Sequence, residues 1–199
     1  MIRAFALTSL LLMLISAPAH ADDWEACADR SNPAGMLGAC TRVINDPQIS
    51  RDNRAVAYLY RCQAKDMQGD ARAALEDCLA SETINDGDAS VYNSLTIIYL
   101  KLSDPAKALQ AAERGLTLKP GDGGYLNGRA NARCAFGMYD GAYEDRLGAL
   151  EKGRFSAEGL QKALQRNGYY DGAIDGKFGA GSRQALRRWT FAGCPTRRG

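Results

Sequence analysis

Between residues 55 and 154, apolar and small side chains recur with a period of 34. Ala55, Ala89 and Gly123 head three consecutive copies. In the second copy Tyr92, Leu95, Thr96 and Tyr99 fall on one helix face. Ala108, Ala112 and Gly115 fall on a following helix, which Pro120 ends. The third copy returns the small positions as Ala130, Ala142 and Ala149; the first supplies Tyr58, Cys62, Ala74, Cys78 and Ser81. Turn residues hold one phase throughout, as Gly69-Asp70, Ser103-Asp104 and Gly137. The pattern predicts antiparallel helix hairpins over 55–88, 89–122 and 123–154. Small residues at the seam let two helices approach closely. One such hairpin cannot bury its own apolar face, so the copies must stack.

The flanks read differently. Upstream, 24–45 predicts a shortened hairpin: Met36-Leu37-Gly38-Ala39-Cys40 aligns with Ala74-Leu75-Glu76-Asp77-Cys78, and Asn32-Pro33 makes the turn. Asn45 to Asn53 reads as a loop. Before it, Met1-Ile2-Arg3, the apolar run Ala4 to Ile15 and Ala19-His20-Ala21 form a cleavable export signal over 1–21, with cleavage expected after Ala21. That run is too short for a permanent span, and no later run is apolar enough to cross a membrane. Downstream, Leu160, Ala163 and Leu164 begin a helix that Asn167-Gly168 stops. Asp171-Gly172, Asp175-Gly176 and Phe178-Gly179 then punctuate a loop, and Ser182 to Trp189 reads as a second helix.

Two resemblances follow. The 34-residue array resembles the tetratricopeptide repeat, in period and in its small positions. The string L-Q-x-x-L-x-x-x-G-Y-Y-x-G-x-I-D-G-x-F-G, from Leu160 to Gly179, resembles the peptidoglycan-binding-domain-like family. Ser182 stands where that family usually has Thr, and Trp189-Thr190 where it has Phe-Gln; both keep the physical type. Together they imply an all-α chain: a helix-hairpin solenoid over 22–154, then a small three-helix module over 156–199 that docks on murein. Within the module Tyr169 and Phe178 are expected in the core. Asp175, Gly176 and Gly179 are expected to form turns. Tyr170, Lys177 and Arg183, with Asp175, are the candidate peptidoglycan contacts, since an aromatic face suits sugar CH groups and cations suit stem carboxylates.

The array's concave surface would, by family phase, carry Leu59, Gln63, Asn93, Ile97, Asn127 and Asn131. Their amides could hold a peptide backbone, donating and accepting at once. The basic residues of a two-carboxylate clamp are not found at those phases. The helix starting near Ala157 is expected to pack on the final repeat as its cap.

Six cysteines lie beyond the export signal, an even count that implies disulfides in an oxidising compartment. Cys27 with Cys40, and Cys62 with Cys78, fall on facing helices of successive hairpins, within the reach a disulfide needs. Elimination leaves Cys134 with Cys194, and an intermolecular bond or free thiols stay open there. The only histidine, His20, leaves with the signal. Without it no Ser-His-Asp site and no His-ligated zinc can form. No cofactor is expected.

The chain carries 25 basic and 23 acidic residues, unevenly placed. Residues 22–155 hold 16 basic against 20 acidic, and residues 156–199 hold 8 against 3. A basic tail suits an anionic polymer such as peptidoglycan, and nucleic acid is not expected outside the cytoplasm. Carboxylate-only hydrolysis would need a facing acid pair. The acid clusters Glu76-Asp77 and Asp140 with Glu144-Asp145 sit at helix positions expected to be solvated. The expectation is therefore a non-catalytic periplasmic or secreted adaptor, binding peptidoglycan through its tail and a protein or peptide through its array. The alternative is an interaction module whose tail is only a cap.

Overall fold

A computed structural model describes residues 20–195. The export segment lies outside them, apart from His20 and Ala21, which open the first helix. Ten helices follow in pairs: α1 (His20–Ala28), α2 (Pro33–Asn45), α3 (Arg51–Met67), α4 (Ala71–Ile84), α5 (Ala89–Lys101), α6 (Pro105–Leu118), α7 (Gly123–Phe136), α8 (Tyr139–Glu151), α9 (Ala157–Arg166) and α10 (Ala180–Phe191). Most starts are capped by a side chain that satisfies an orphan N–H of the first turn. Asn32, Ser50, Asp70, Asp88, Asp104, Asp122 and Ser156 all accept such a bond.

Helices α1 to α8 form four antiparallel hairpins stacked into an all-α solenoid. At the seams the small residues are buried: Ala74, Ala108, Ala142 and Ala149 are fully inaccessible. Gly115 shows why size matters, because a Cβ there would stand 2.4 Å from the Tyr125 ring of the next hairpin. That ring is buried, and desolvation pushes its phenol up to about 12. Disulfides join Cys27 to Cys40, Cys62 to Cys78, and Cys134 to Cys194, with Cα atoms 4.7, 5.4 and 6.1 Å apart. The first two cross single hairpins, and the third ties α7 to the chain just after α10.

The C-terminal module differs from the expectation of three helices: among the described residues it has two, α9 and α10, joined by an irregular loop. Glycines at positive φ, Gly168 (79°) and Gly176 (69°), bend that loop where a helix would have to run straight. The missing third helix is lent by the array. Leu160, Leu164, Ala185 and Leu186 form one cluster with Tyr143, Leu147 and Leu150 of α8. The last repeat and the module thus share a hydrophobic core. The cap on α8 is provided by α10 more than by α9, the helix expected in that place.

Candidate ligand surfaces

The module's loop is built around one side chain. Gln161, on the inner face of α9, is wholly inaccessible. Its Nε2 donates to Asp175 Oδ1 at 2.9 Å, to the Lys177 carbonyl at 3.1 Å and to Ser182 Oγ at 3.1 Å. Its Oε1 accepts from Gly176 N at 3.0 Å. A buried amide has both donors and an acceptor to satisfy, so it fixes a loop from several sides. The Asp175 carboxylate also accepts from Lys177 N at 2.9 Å. The Gln161 amide first, and that N–H second, hold Asp175 below the usual carboxylate range.

These contacts assign the four candidate residues. Tyr170 donates its hydroxyl to the Ala173 carbonyl at 2.9 Å, and its ring lies so close to Gly172 that no Cβ fits there. Tyr170 and Asp175 are therefore committed to loop structure. Lys177 and Arg183 are exposed, with the Arg183 guanidinium 6.0 Å from the Phe178 ring centroid. Gln161 belongs to the quoted motif, and only its burial reveals it as the hub. A glutamine followed by an Asp-Gly turn 14 residues on was the available signal.

Residues 157–189 match a family model described as "Putative peptidoglycan binding domain". The chain is similar to two solved structures, both crystal structures of MamA, at 24% identity and TM-scores of 0.53 and 0.54. Each match covers 61% of this chain, and 64% and 69% of the respective MamA chains. The chain thus spans somewhat under two thirds of the first MamA chain. No curated protein sequence matches it.

The chain is a helix-hairpin solenoid followed by a segment that matches the peptidoglycan-binding family model. The likeness to MamA is one of fold, and the binding of this solenoid must be read from its own surface.

On the concave face the six expected groove residues separate. Leu59 is 3% exposed and belongs to the core with Val91 and Leu95, which corrects its assignment to the groove. A leucine at that phase is drawn inward by the hydrophobic effect. Gln63, Asn93 and Ile97 line the open face. Asn127 and Asn131 are already bonded: Arg146 donates to Asn127 Oδ1 at 3.4 Å and to Asn131 Oδ1 at 3.0 Å.

Arg146 is the least expected residue in the array. Its phase is that of Cys78 and Ala112, small residues in the earlier copies. Here a guanidinium is 6% exposed, stacked 4.4 Å from the Trp189 ring centroid of α10. Burial brings its pKa down to about 10, against the opposing charge of Asp145. Its Nε has no hydrogen-bond partner among the described residues. The last repeat therefore uses its would-be groove to hold the module.

What stays open is a cavity of about 600 Å³ reaching from Gln63 and Asn93 to the α6–α7 and α8–α9 turns. A smaller one, of about 170 Å³, shares Gln63 and Asn93 and reaches Met67 and Ile97. The acid clusters are corrected in part. Asp77 and Asp145 are each 4% exposed, not solvated, while Glu76, Asp140 and Glu144 are exposed as expected. Asp77 binds Arg61 and Lys65, and Asp145 binds Arg129 and Arg133, at 2.7 and 2.8 Å in each case. The hydrogen bond to Asp77 is the main cause that raises Arg61 above its usual value, with Tyr58 adding less, and the bond to Asp145 leads in the same way for Arg129, ahead of Glu113. Among the described residues no helix is long and apolar enough to cross a membrane.

Proposed function

We propose that this protein is a non-catalytic adaptor outside the cytoplasm, tethered to peptidoglycan by its C-terminal module while its helical array engages a protein or peptide. The observation that carries this reading is the module's loop, folded on Gln161 and matching the peptidoglycan-binding family model, with Lys177 and Arg183 left exposed beside it. Three disulfides support residence in an oxidising compartment. The acids that could have served a hydrolase include two, Asp77 and Asp145, that are locked into ion clusters, which favours binding over catalysis.

The test is sedimentation of the oxidised protein with purified sacculi. The wild type co-pellets at low salt, and Lys177→Glu with Arg183→Glu abolishes most of the pelleting while leaving the melting curve unchanged. A wild type that stays in the supernatant overturns the tether. A second reading has its own support: α10 covers α8 and the module shares the last repeat's core, so the module could serve only as a cap. Under that reading neither form pellets. Deleting residues 156–199 is a poor substitute for the charge reversal, because it strips the cover from Tyr143, Leu147 and Leu150.

A further inference from the structure

The array is acidic in sum, yet its concave face is not. Arg30, Lys119, Lys152 and Arg154 converge on the larger cavity from three turns: α1–α2, α6–α7 and α8–α9. None of the four makes an ion pair among the described residues; Arg30 donates only to Gln63 Oε1, at 2.7 Å. The one acid lining the cavity, Asp122, has an oxygen engaged by Gly124 N at 2.8 Å and Tyr125 N at 3.2 Å as the cap of α7. Four like charges held around a concavity repel one another and raise the local potential, so they favour an anionic occupant. In the adjoining smaller cavity the surface turns apolar, with Met67 52% and Ile97 42% exposed. Asp66 beside them is neutralised by Lys101 at 2.6 Å. Between the two halves lie the amide of Gln63, which accepts from Arg30 and donates to Ser94 at 3.3 Å, and that of Asn93, able to pair with a peptide backbone.

We propose that this face binds an extended acidic peptide of a partner protein, its carboxylates among Arg30, Lys119, Lys152 and Arg154 and an aliphatic side chain between Met67 and Ile97. The inference rests on the reading of the array as the protein-binding half. The cations escape sequence reasoning because the repeat phase points to helix positions, whereas the fold gathers these from turns far apart in the chain. A cavity of about 600 Å³ accommodates a few residues of such a peptide.

The experiment uses the full oxidised chain and a fluorescein-labelled octapeptide of two leucines and four glutamates between single glycines, followed by fluorescence anisotropy. The peptide binds and weakens with salt, while its counterpart with four lysines does not bind. Lys152→Glu with Arg154→Glu lowers affinity at least about tenfold, since several exposed charge pairs are lost and turned repulsive. Lys119→Glu, from a separate turn, lowers it in the same direction, and matched melting curves show that both variants are folded. Ile97→Ser weakens binding about threefold or more by removing apolar contact. Equal binding of the lysine peptide, or an unchanged affinity in both charge variants, overturns the proposal. So does displacement by soluble muropeptides, which would make this face a second murein site. Sacculus pelleting by Lys152→Glu with Arg154→Glu stays at the wild-type level, so loss of the peptide site and loss of the tether are read separately.

Discussion

The first and third regular hairpins are held together differently from the one between them. In the first, Asp77 of α4 sits between Arg61 and Lys65 of α3; in the third, Asp145 of α8 sits between Arg129 and Arg133 of α7. The phases match, two repeat periods apart. In the second hairpin those phases carry Leu95, Tyr99 and Ala111, an apolar set packed in the central cluster. All three have packed neighbours on both sides, α1–α2 before the first and the module after the third. In the two ionic hairpins the carboxylate is buried but its cations still reach water, at 19–23% side-chain exposure. One backbone geometry thus accepts an ionic seam or an apolar seam. A buried ion cluster adds little net stability over good apolar packing, but breaking one member is costly.

The comparison is broken most strongly by removing one carboxylate. Asp145→Ala leaves Arg129 and Arg133 facing an apolar seam, and thermal or urea unfolding should show a loss of about 3 kcal/mol. The analogous change in the second hairpin has already happened, since Ala111 is the native residue there. Next comes the covalent difference. Cys62→Thr with Cys78→Ala installs the second copy's Thr96 and Ala112 pair, and should cost somewhat under about 3 kcal/mol, the chain-entropy value for a loop of this length. The change should also remove the difference in unfolding between oxidised and reduced protein that this bond contributes.

A smaller effect is expected at Arg146, the same phase in the third copy. Arg146→Ala restores the small residue of the repeat but leaves Trp189 without its stacked cation, for a loss of about 1–2 kcal/mol. Tryptophan fluorescence should shift to the red as water reaches that ring; an unshifted spectrum would mean that Arg146 does not seat the module. The smallest change is expected from the fullest substitution. Arg129→Leu, Arg133→Tyr and Asp145→Ala together transplant the second copy's set into the third, and stability should return to within about 1 kcal/mol of wild type. If the triple variant is as unstable as Asp145→Ala alone, the two seams are not interchangeable.

Legibility followed the same division. Hairpin order and turns could be read because the 34-residue period repeats small residues and Asp or Gly at constant phase. The module could be read because its loop string is long and specific. Asp77 and Asp145 looked solvated because a charged residue on a helix usually is; only their cationic neighbours, placed by the facing helix, make burial tolerable. Leu59 has the phase of a groove residue, but its hydrophobic side chain is drawn into the core. Asn127 and Asn131 have the phase of open groove residues, and Arg146, 19 and 15 positions away, gives no local sign of reaching them.

By itself the sequence determined the all-helical repeat, its phase and the presence of a murein-type loop, since these depend on periodicity and on turn chemistry within a few residues. Tertiary structure alone decided that α8 completes the module's core, that Arg146 and Trp189 close one end of the groove, and that four cations from three turns meet on the concave face. Those features arise from segments distant in the chain, and their proximity is set by the superhelical stacking of whole hairpins, which no local pattern encodes.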